Sequence, residues 1–160
     1  MHSSEQEPLH VAPGEGEMRW VVGDLVTFKM VGEHTSGAFT LAVEITPPQG
    51  GPPPHRHTHE DETFYVVEGE LEFTVGRRTL SASAGSVVYG PRGLMHSFRN
   101  VGTEHSRMVV VITPAGLERF FEEVGEPVED PSSPPEGAPD VERLVALARK
   151  YGMEIPPPSA

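Results

Sequence analysis

Residues 52–69 read PPPHRHTHEDETFYVVEG, and three of the chain's eight histidines fall inside them. On an extended segment alternate side chains share a face, so His55 and His57 point the same way with Cβ atoms about 7 Å apart, close enough for two positions on one metal ion. Glu62 lies an odd number of residues beyond His57, and a straight strand would send it to the opposite face. The polar run Thr58–Asp61 supplies a turn, after which Glu62 opens a second strand with its carboxylate turned back toward the two imidazoles. In that phase Phe64 and Val66 also point inward, Tyr65 and Val67 point outward, Arg56 points away from the site, and Gly69 ends the strand.

Working outward, period-two runs recur between Trp20 and Thr113, each stopped by Gly, Pro or charge. Val26-x-Phe28-x-Met30, Phe39-x-Leu41-x-Val43-x-Ile45 and Leu71-x-Phe73-x-Val75 each predict a strand with that face in the core. Further runs at Ser86–Tyr89, His96–Arg99 and Arg107–Ile112 have short connections, which favours antiparallel pairing in an all-β sandwich or barrel. After Pro114 the period becomes helical: Leu117, Phe120, Phe121 and Val124 form a stripe stopped by Gly125. A Pro- and Ser-rich linker leads to Asp140, which caps a second helix with Val141, Leu144, Val145 and Ala148 on one face and Gly152 at its end.

Three parts of a single domain follow: an acidic tail at 1–17, a barrel at 18–113, and C-terminal helices with their linker at 114–160. Lys and Arg number 12 against 24 Asp and Glu, a net charge of −12 that disfavours nucleic acid and anionic membrane as partners. The absence of Cys removes disulfides, thiolate metal sites and a cysteine nucleophile, leaving imidazole and carboxylate as the metal-binding groups. The opening residues lack a signal-like basic and apolar pattern, and the longest aliphatic run is Val109–Ile112, so a cytoplasmic protein is expected.

With these residues in place, the stretch resembles the first motif of the cupin superfamily, whose His-x-His, Glu and Gly are matched by His55, His57, Glu62 and Gly69. GSVVYGPRGLMHSFRN at 85–100 resembles the second motif through Gly85, Pro91, Gly93, His96 and Asn100. The glycine that precedes the first histidine in the family is met loosely, by Gly50 or Gly51, and the connection at 70–84 is short. The resemblance implies a double-stranded β-helix, a jelly-roll barrel with helices packed on it. It also implies that His55, His57, Glu62 and His96 bind one divalent transition metal ion per chain: Fe, Mn, Co, Ni, Cu or Zn. A register shifted to His57 and His59 leaves too few residues before Glu62 for that pattern, so His59 is read as a turn or rim residue. His2, His10, His34 and His105 match nothing and are taken as exposed.

Three imidazoles and one carboxylate leave a divalent ion at net +1 with open positions for water, substrate or O₂. Phe98 shares the face of His96, and with Phe64, Phe73, Phe39 and Leu41 it is expected to form an aromatic pocket for a small apolar ligand. The chain is similar to small quercetinase-like cupins, which implies a flavonol dioxygenase in which Glu62 is both ligand and base for an enolic aromatic. A non-catalytic cupin that binds a small apolar ligand, or a cupin isomerase or decarboxylase, remains the alternative. Tyr65 and Val67, with the habit of cupins to pair barrels, imply a homodimer.

Overall fold

Apolar-alternating runs cut by Gly and Pro fold as strands, since each run buries one face and each breaker turns the chain before a helix can nucleate. The computed structural model describes residues 6–158. The described elements, in chain order, are β1 (Glu17–Val21), β2 (Asp24–Met30), α1 (Gly32–Thr35), β3 (Thr40–Thr46), β4 (Arg56–His57), β5 (Asp61–Glu68) and β6 (Glu70–Val75). They continue with β7 (Arg78–Ser83), β8 (Val87–Gly90), β9 (His96–Asn100), β10 (Ser106–Thr113), α2 (Glu118–Val124), β11 (Glu126–Pro127), α3 (Val141–Lys150) and β12 (Met153–Glu154). Their ladders are antiparallel.

A seven-stranded sheet runs β11-β1-β2-β3-β10-β5-β8, and two smaller sheets run β12-β4 and β7-β6-β9. The smaller sheets meet where His55 pairs with His96: the His55 amide donates to the His96 carbonyl at 3.0 Å and the His96 amide to the His55 carbonyl at 2.8 Å. Together they form the second wall of a double-stranded β-helix. Phe64, Val66, Leu71, Phe73, Met108, Val110 and Ile112 fill the space between the walls. Among the described residues, no helix is long and apolar enough to cross a membrane.

Strand β1 begins at Glu17, the last residue of the expected tail, and turns into β2 through Val22 and Gly23, with φ of 50° and 87°. Gly51 meets the motif glycine: its φ is 146°, and a Cβ there would overlap the Phe98 carbonyl, so only glycine lets this segment lie against β9. Asn100 ties the end of β9. Its Nδ2 donates to the carbonyls of Thr46 at 3.0 Å and Glu104 at 2.8 Å, and its Oδ1 accepts from the Gly102 amide at 2.9 Å.

The helices form as their periodicity predicts. Leu117 and Phe120 are buried, Phe121 and Val124 pack on the core, and the Asp140 carboxylate caps α3 by accepting from the Arg143 amide at 3.0 Å. The buried face of α3 is narrower than the sequence stripe: Leu144 and Ala148 are buried, whereas Val141 is exposed. Two short strands in the C-terminal region, β11 on β1 and β12 on β4, are absent from the sequence reading.

Strand β3 corrects the expected phase. Thr40, Ala42 and Thr46 are its buried positions, while Phe39, Leu41, Val43 and Ile45 are only partly covered. Alternation assigns the apolar residues to the inside, but the interior here accommodates polar groups, so the polar face turns inward. On the outer surface Tyr65, Val67, Val87 and Tyr89 are 38–61% exposed on β5 and the edge strand β8.

Glu118 joins three segments. It accepts from the Gly32 amide at 2.8 Å, the Gly116 amide at 2.7 Å and the Thr40 hydroxyl at 2.7 Å. Burial opposes its charge, yet these donors hold its carboxyl below the usual glutamate range. Glu118→Ala should lower unfolding stability in urea at pH 7 by about 2–4 kcal/mol, the scale of several bonds to a charged acceptor. Because the folded-state pKa is depressed, this contribution is present above the ordinary glutamate value and is lost as pH falls through the folded one. The deficit should therefore shrink in acid.

Candidate metal centre

The His55–His96 backbone pair fixes where two imidazoles can be. Each strand delivers its ring to the same interior space, with ring centroids 4.4 Å apart. His57 follows one residue past Arg56 on β4, and Glu62 reaches the space from β5 on the seven-stranded sheet, after the turn at Thr58–Glu60. One ligand-type atom from each of His55, His57, Glu62 and His96 lies within 4.8 Å of all the others. The Glu62 Oε2 is 2.8 Å from His96 Nε2 and 3.1 Å from His57 Nε2.

Neighbouring groups orient the rings. His55 Nδ1–H donates to the Pro53 carbonyl at 2.9 Å, which leaves the Nε2 lone pair for the interior. The Glu60 Oε2 lies 3.6 Å from His57 Nδ1, so that ring also presents Nε2 inward. Gly90, paired with Glu62 across β5 and β8, lies against the His96 ring, and a Cβ there would make ordinary contact with His96 Nδ1 at 3.4 Å. Glu60 is buried and was not singled out from the sequence; its place three residues after His57, within the turn, is the only signal it gives.

Burial disfavours charge on Glu62, His57 and His55, and the neighbours decide the outcome. Glu62 is held well below the carboxylate range because the His57 and His96 rings outweigh its desolvation. His57 is pushed up to about 9, since the negative charges of Glu62 and Glu60 overcome burial. His55 is pushed down to about 4 by burial and by the His96 ring, and so stays neutral. Both His57 ring nitrogens and His96 Nδ1 are buried without a hydrogen-bond partner. Buried orphan nitrogens are costly, and three imidazoles with one carboxylate around a common point are a donor set suited to a divalent transition metal, which would displace the His57 proton. The residues present therefore fit the ion.

A cavity opens beside the cluster. Phe64 and Phe98 line it with His55, His57 and Glu62, and Phe120, Phe121, Leu144, Met153 and Ile155 continue its apolar surface. Three expected pocket residues are corrected. Phe73 is fully buried behind the wall, 5.1 Å from Phe64 and 5.5 Å from Phe98 by ring centroid. Phe39 and Leu41 do not line the cavity, for the reason of phase given for β3. Asp24 and Glu44 take their place on that side.

No Lys or Arg lines this cavity among the described residues. Arg56 pairs with Glu154, Arg92 with Asp61 at 3.0 Å, and Arg99 with Gln49. His59 is exposed and outside the cluster, lying against Gly152, where a Cβ would be 2.6 Å from its ring. His10, His34 and His105 are exposed, and His2 lies outside the described residues.

Residues 42–112 match the family model described as Cupin domain. The chain is 28% identical over 123 residues to a protein named quercetin 2,3-dioxygenase from Bacillus subtilis (strain 168), covering 76% of this chain and 36% of that protein. Among solved structures, KdgF from Halomonas sp. superposes with a TM-score of 0.63 at 17% identity, over 71% of this chain and 99% of that one. A predicted oxalate decarboxylase from Thermotoga maritima gives 0.60 at 23% identity, over 66% and 99%. The two structural likenesses show the fold alone. The chain spans about a third to a half of the length of the first curated relatives it matches. Residues 42–112 of this chain therefore match a cupin domain, and the solved structures share its fold.

His57→Ala should abolish most metal uptake, while His59→Ala should leave about one ion per chain, as read by elemental analysis after reconstitution. Equal losses in the two variants would remove His57 from the ligand set.

Proposed function

We propose that this cupin-domain protein is a metal-dependent dioxygenase for a small enolic aromatic, flavonol-like in shape. The observation that carries the reading is the position of Glu62: a carboxylate held ionised between two imidazoles, with its other surroundings the aromatic wall of a cavity free of Lys and Arg. Likeness to the Bacillus protein supports the same reaction class. Oxalate or a sugar phosphate would need cationic partners that this cavity lacks.

His55, His57, Glu62 and His96 would hold the ion, which would supply Lewis-acid polarisation of an enol oxygen and redox chemistry with O₂. The chain's own residues do the rest. Phe64 and Phe98 present ring faces and edges to a planar substrate, and the apolar lining excludes water from it. Glu62 accepts the enol proton at a carboxylate oxygen, and the His57 ring lies 3.1 Å from it. Burial keeps the His55 ring neutral, and its Nδ1–H bond to Pro53 fixes which nitrogen faces the interior.

We also propose that a second copy of the chain covers Tyr65, Val67, Val87 and Tyr89. These apolar side chains sit together on the outer face of two paired strands, one of them a sheet edge.

Glu62→Gln, reconstituted with metal, should retain substantial occupancy and lose at least about a hundredfold in oxygen uptake per bound ion with a flavonol such as quercetin. Parent-like turnover per ion would leave Glu62 as a ligand only. Flavonol binding without oxygen uptake in the parent would favour the non-catalytic binding protein. For the assembly, sedimentation should show a dimer for the parent and a monomer for Val87→Glu at the same micromolar concentration; a monomeric parent would remove the proposal.

A further inference from the structure

The cavity beside the histidines holds about 70 Å³, whereas sites that bury small organic ligands run to about 300–1,000 Å³. A flavonol-sized molecule needs more room than this chamber offers. A second cavity of about 230 Å³ lies on the far side of Val22 and Leu144, the two residues that line both spaces. Joined, the two chambers reach the size that such a ligand needs.

Val22 holds its place at a conformational cost. Val21 of β1 pairs with Asp24 of β2, so Val22 and Gly23 alone make the turn, both in the left-handed region with φ of 50° and 87°. Asn or Gly suits the first position of such a turn, and a β-branched residue there is an outlier. The Val22 side chain packs on the core and stands between the two cavities, with Leu144 of α3, itself buried, completing the partition. Backbone strain kept at the edge of a ligand cavity points to function.

The outer chamber is suited to a flat, uncharged group. Trp20, the chain's single tryptophan, lines it from β1. The charged groups that α3 brings there are already engaged: Asp140 accepts from the Arg143 amide at 3.0 Å, and the Arg143 guanidinium donates to the Val124 carbonyl at 3.2 Å. Glu126 and Glu136, exposed at the same chamber, disfavour an anion. We propose that the outer chamber is a second ligand subsite, for an uncharged aromatic ring beside Trp20, and that Val22 and Leu144 are a partition that gives way so that one ligand occupies both chambers. The inference rests on the reading of the inner cavity as an aromatic-ligand site, and adds that the ligand carries further ring surface beyond its metal-facing head.

The test compares 3-hydroxyflavone with maltol, which share the 3-hydroxy-4-pyrone head and differ in the added aromatic rings. Equilibrium titration uses protein loaded with zinc, which has no redox chemistry to consume the probe. Trp20→Ala, which removes the flat contact, and Ala138→Trp, which fills the outer chamber from the exposed linker, should each weaken 3-hydroxyflavone at least about tenfold and leave maltol within about twofold. Val22→Gly, which suits the turn and thins the partition, should raise the association rate of 3-hydroxyflavone at least about tenfold by stopped flow. Circular dichroism and metal uptake check folding, and Ala138→Trp carries the affinity test if Trp20→Ala does not fold. An unchanged 3-hydroxyflavone affinity in either folded variant, a matching loss for maltol, an unchanged association rate in Val22→Gly, or no binding of 3-hydroxyflavone to the parent would each overturn the proposal. Oxygen uptake is read separately: the expected affinities without oxygen consumption keep both chambers and remove the dioxygenase reading, whereas oxygen uptake with affinities insensitive to the outer chamber keeps that reading and removes this one.

Discussion

Two backbone hydrogen bonds between His55 and His96 hold the centre together. They join two short sheets into one wall, and they set two imidazoles on neighbouring strands at a separation that side-chain rotation alone could not enforce. The surrounding sequence accommodates that pairing. Gly51 lies against the Phe98 carbonyl where no side chain fits, and Asn100 ends the strand by closing its own turn. Gly51 and Asn100 thus have steric and hydrogen-bonding roles around the site, and the histidines and Glu62 have the electrostatic ones.

The interior is apolar in most of its area and acidic at its polar points. Glu62 finds compensation in the His57 and His96 rings, whereas burial raises the Asp24 and Glu44 carboxyls on β2 and β3. One carboxylate is kept charged by its neighbours, and the other two are held back from ionising by the same desolvation cost. The charged surface of the protein takes no part, since Arg56, Arg92 and Arg99 spend their charge on partners outside the cavity.

Spacing on strands brought His55, His57 and Glu62 together, because an odd offset from His57 to Glu62 demands a turn and the turn is there, whereas His96 joined them only through the family resemblance. The phase of β5 followed, with Glu62, Phe64 and Val66 buried in alternation. The phase of β3 did not, because hydrophobic alternation assumes that the inside of a barrel is the apolar side. Here Thr40, Glu44 and Thr46 share the inward face, and the apolar residues are left partly covered. The same assumption hid Asp24 and Glu44, which carry no motif and come from separate strands. The two-residue strands β11 and β12 were illegible for another reason: they hold their conformation only by pairing with distant segments.

Strand β12 also sets an order of events. All four cluster residues and every long strand of the barrel are present by Thr113, but Leu144, Met153 and Ile155, which line the cavity, come later in the chain. At a synthesis rate of about 5–20 residues per second, the stretch from Thr113 to Ile155 takes roughly 2–8 s to emerge. Through that interval the chain holds all four cluster residues but not the segment that covers that side of the cavity. The contact that joins β12 to β4, Arg56 with Glu154, spans 98 positions. The direction of translation therefore separates assembly of the imidazole cluster from completion of the hydrophobic wall beside it, and a nascent chain can meet ions from solution before it has a pocket fit for an organic ligand.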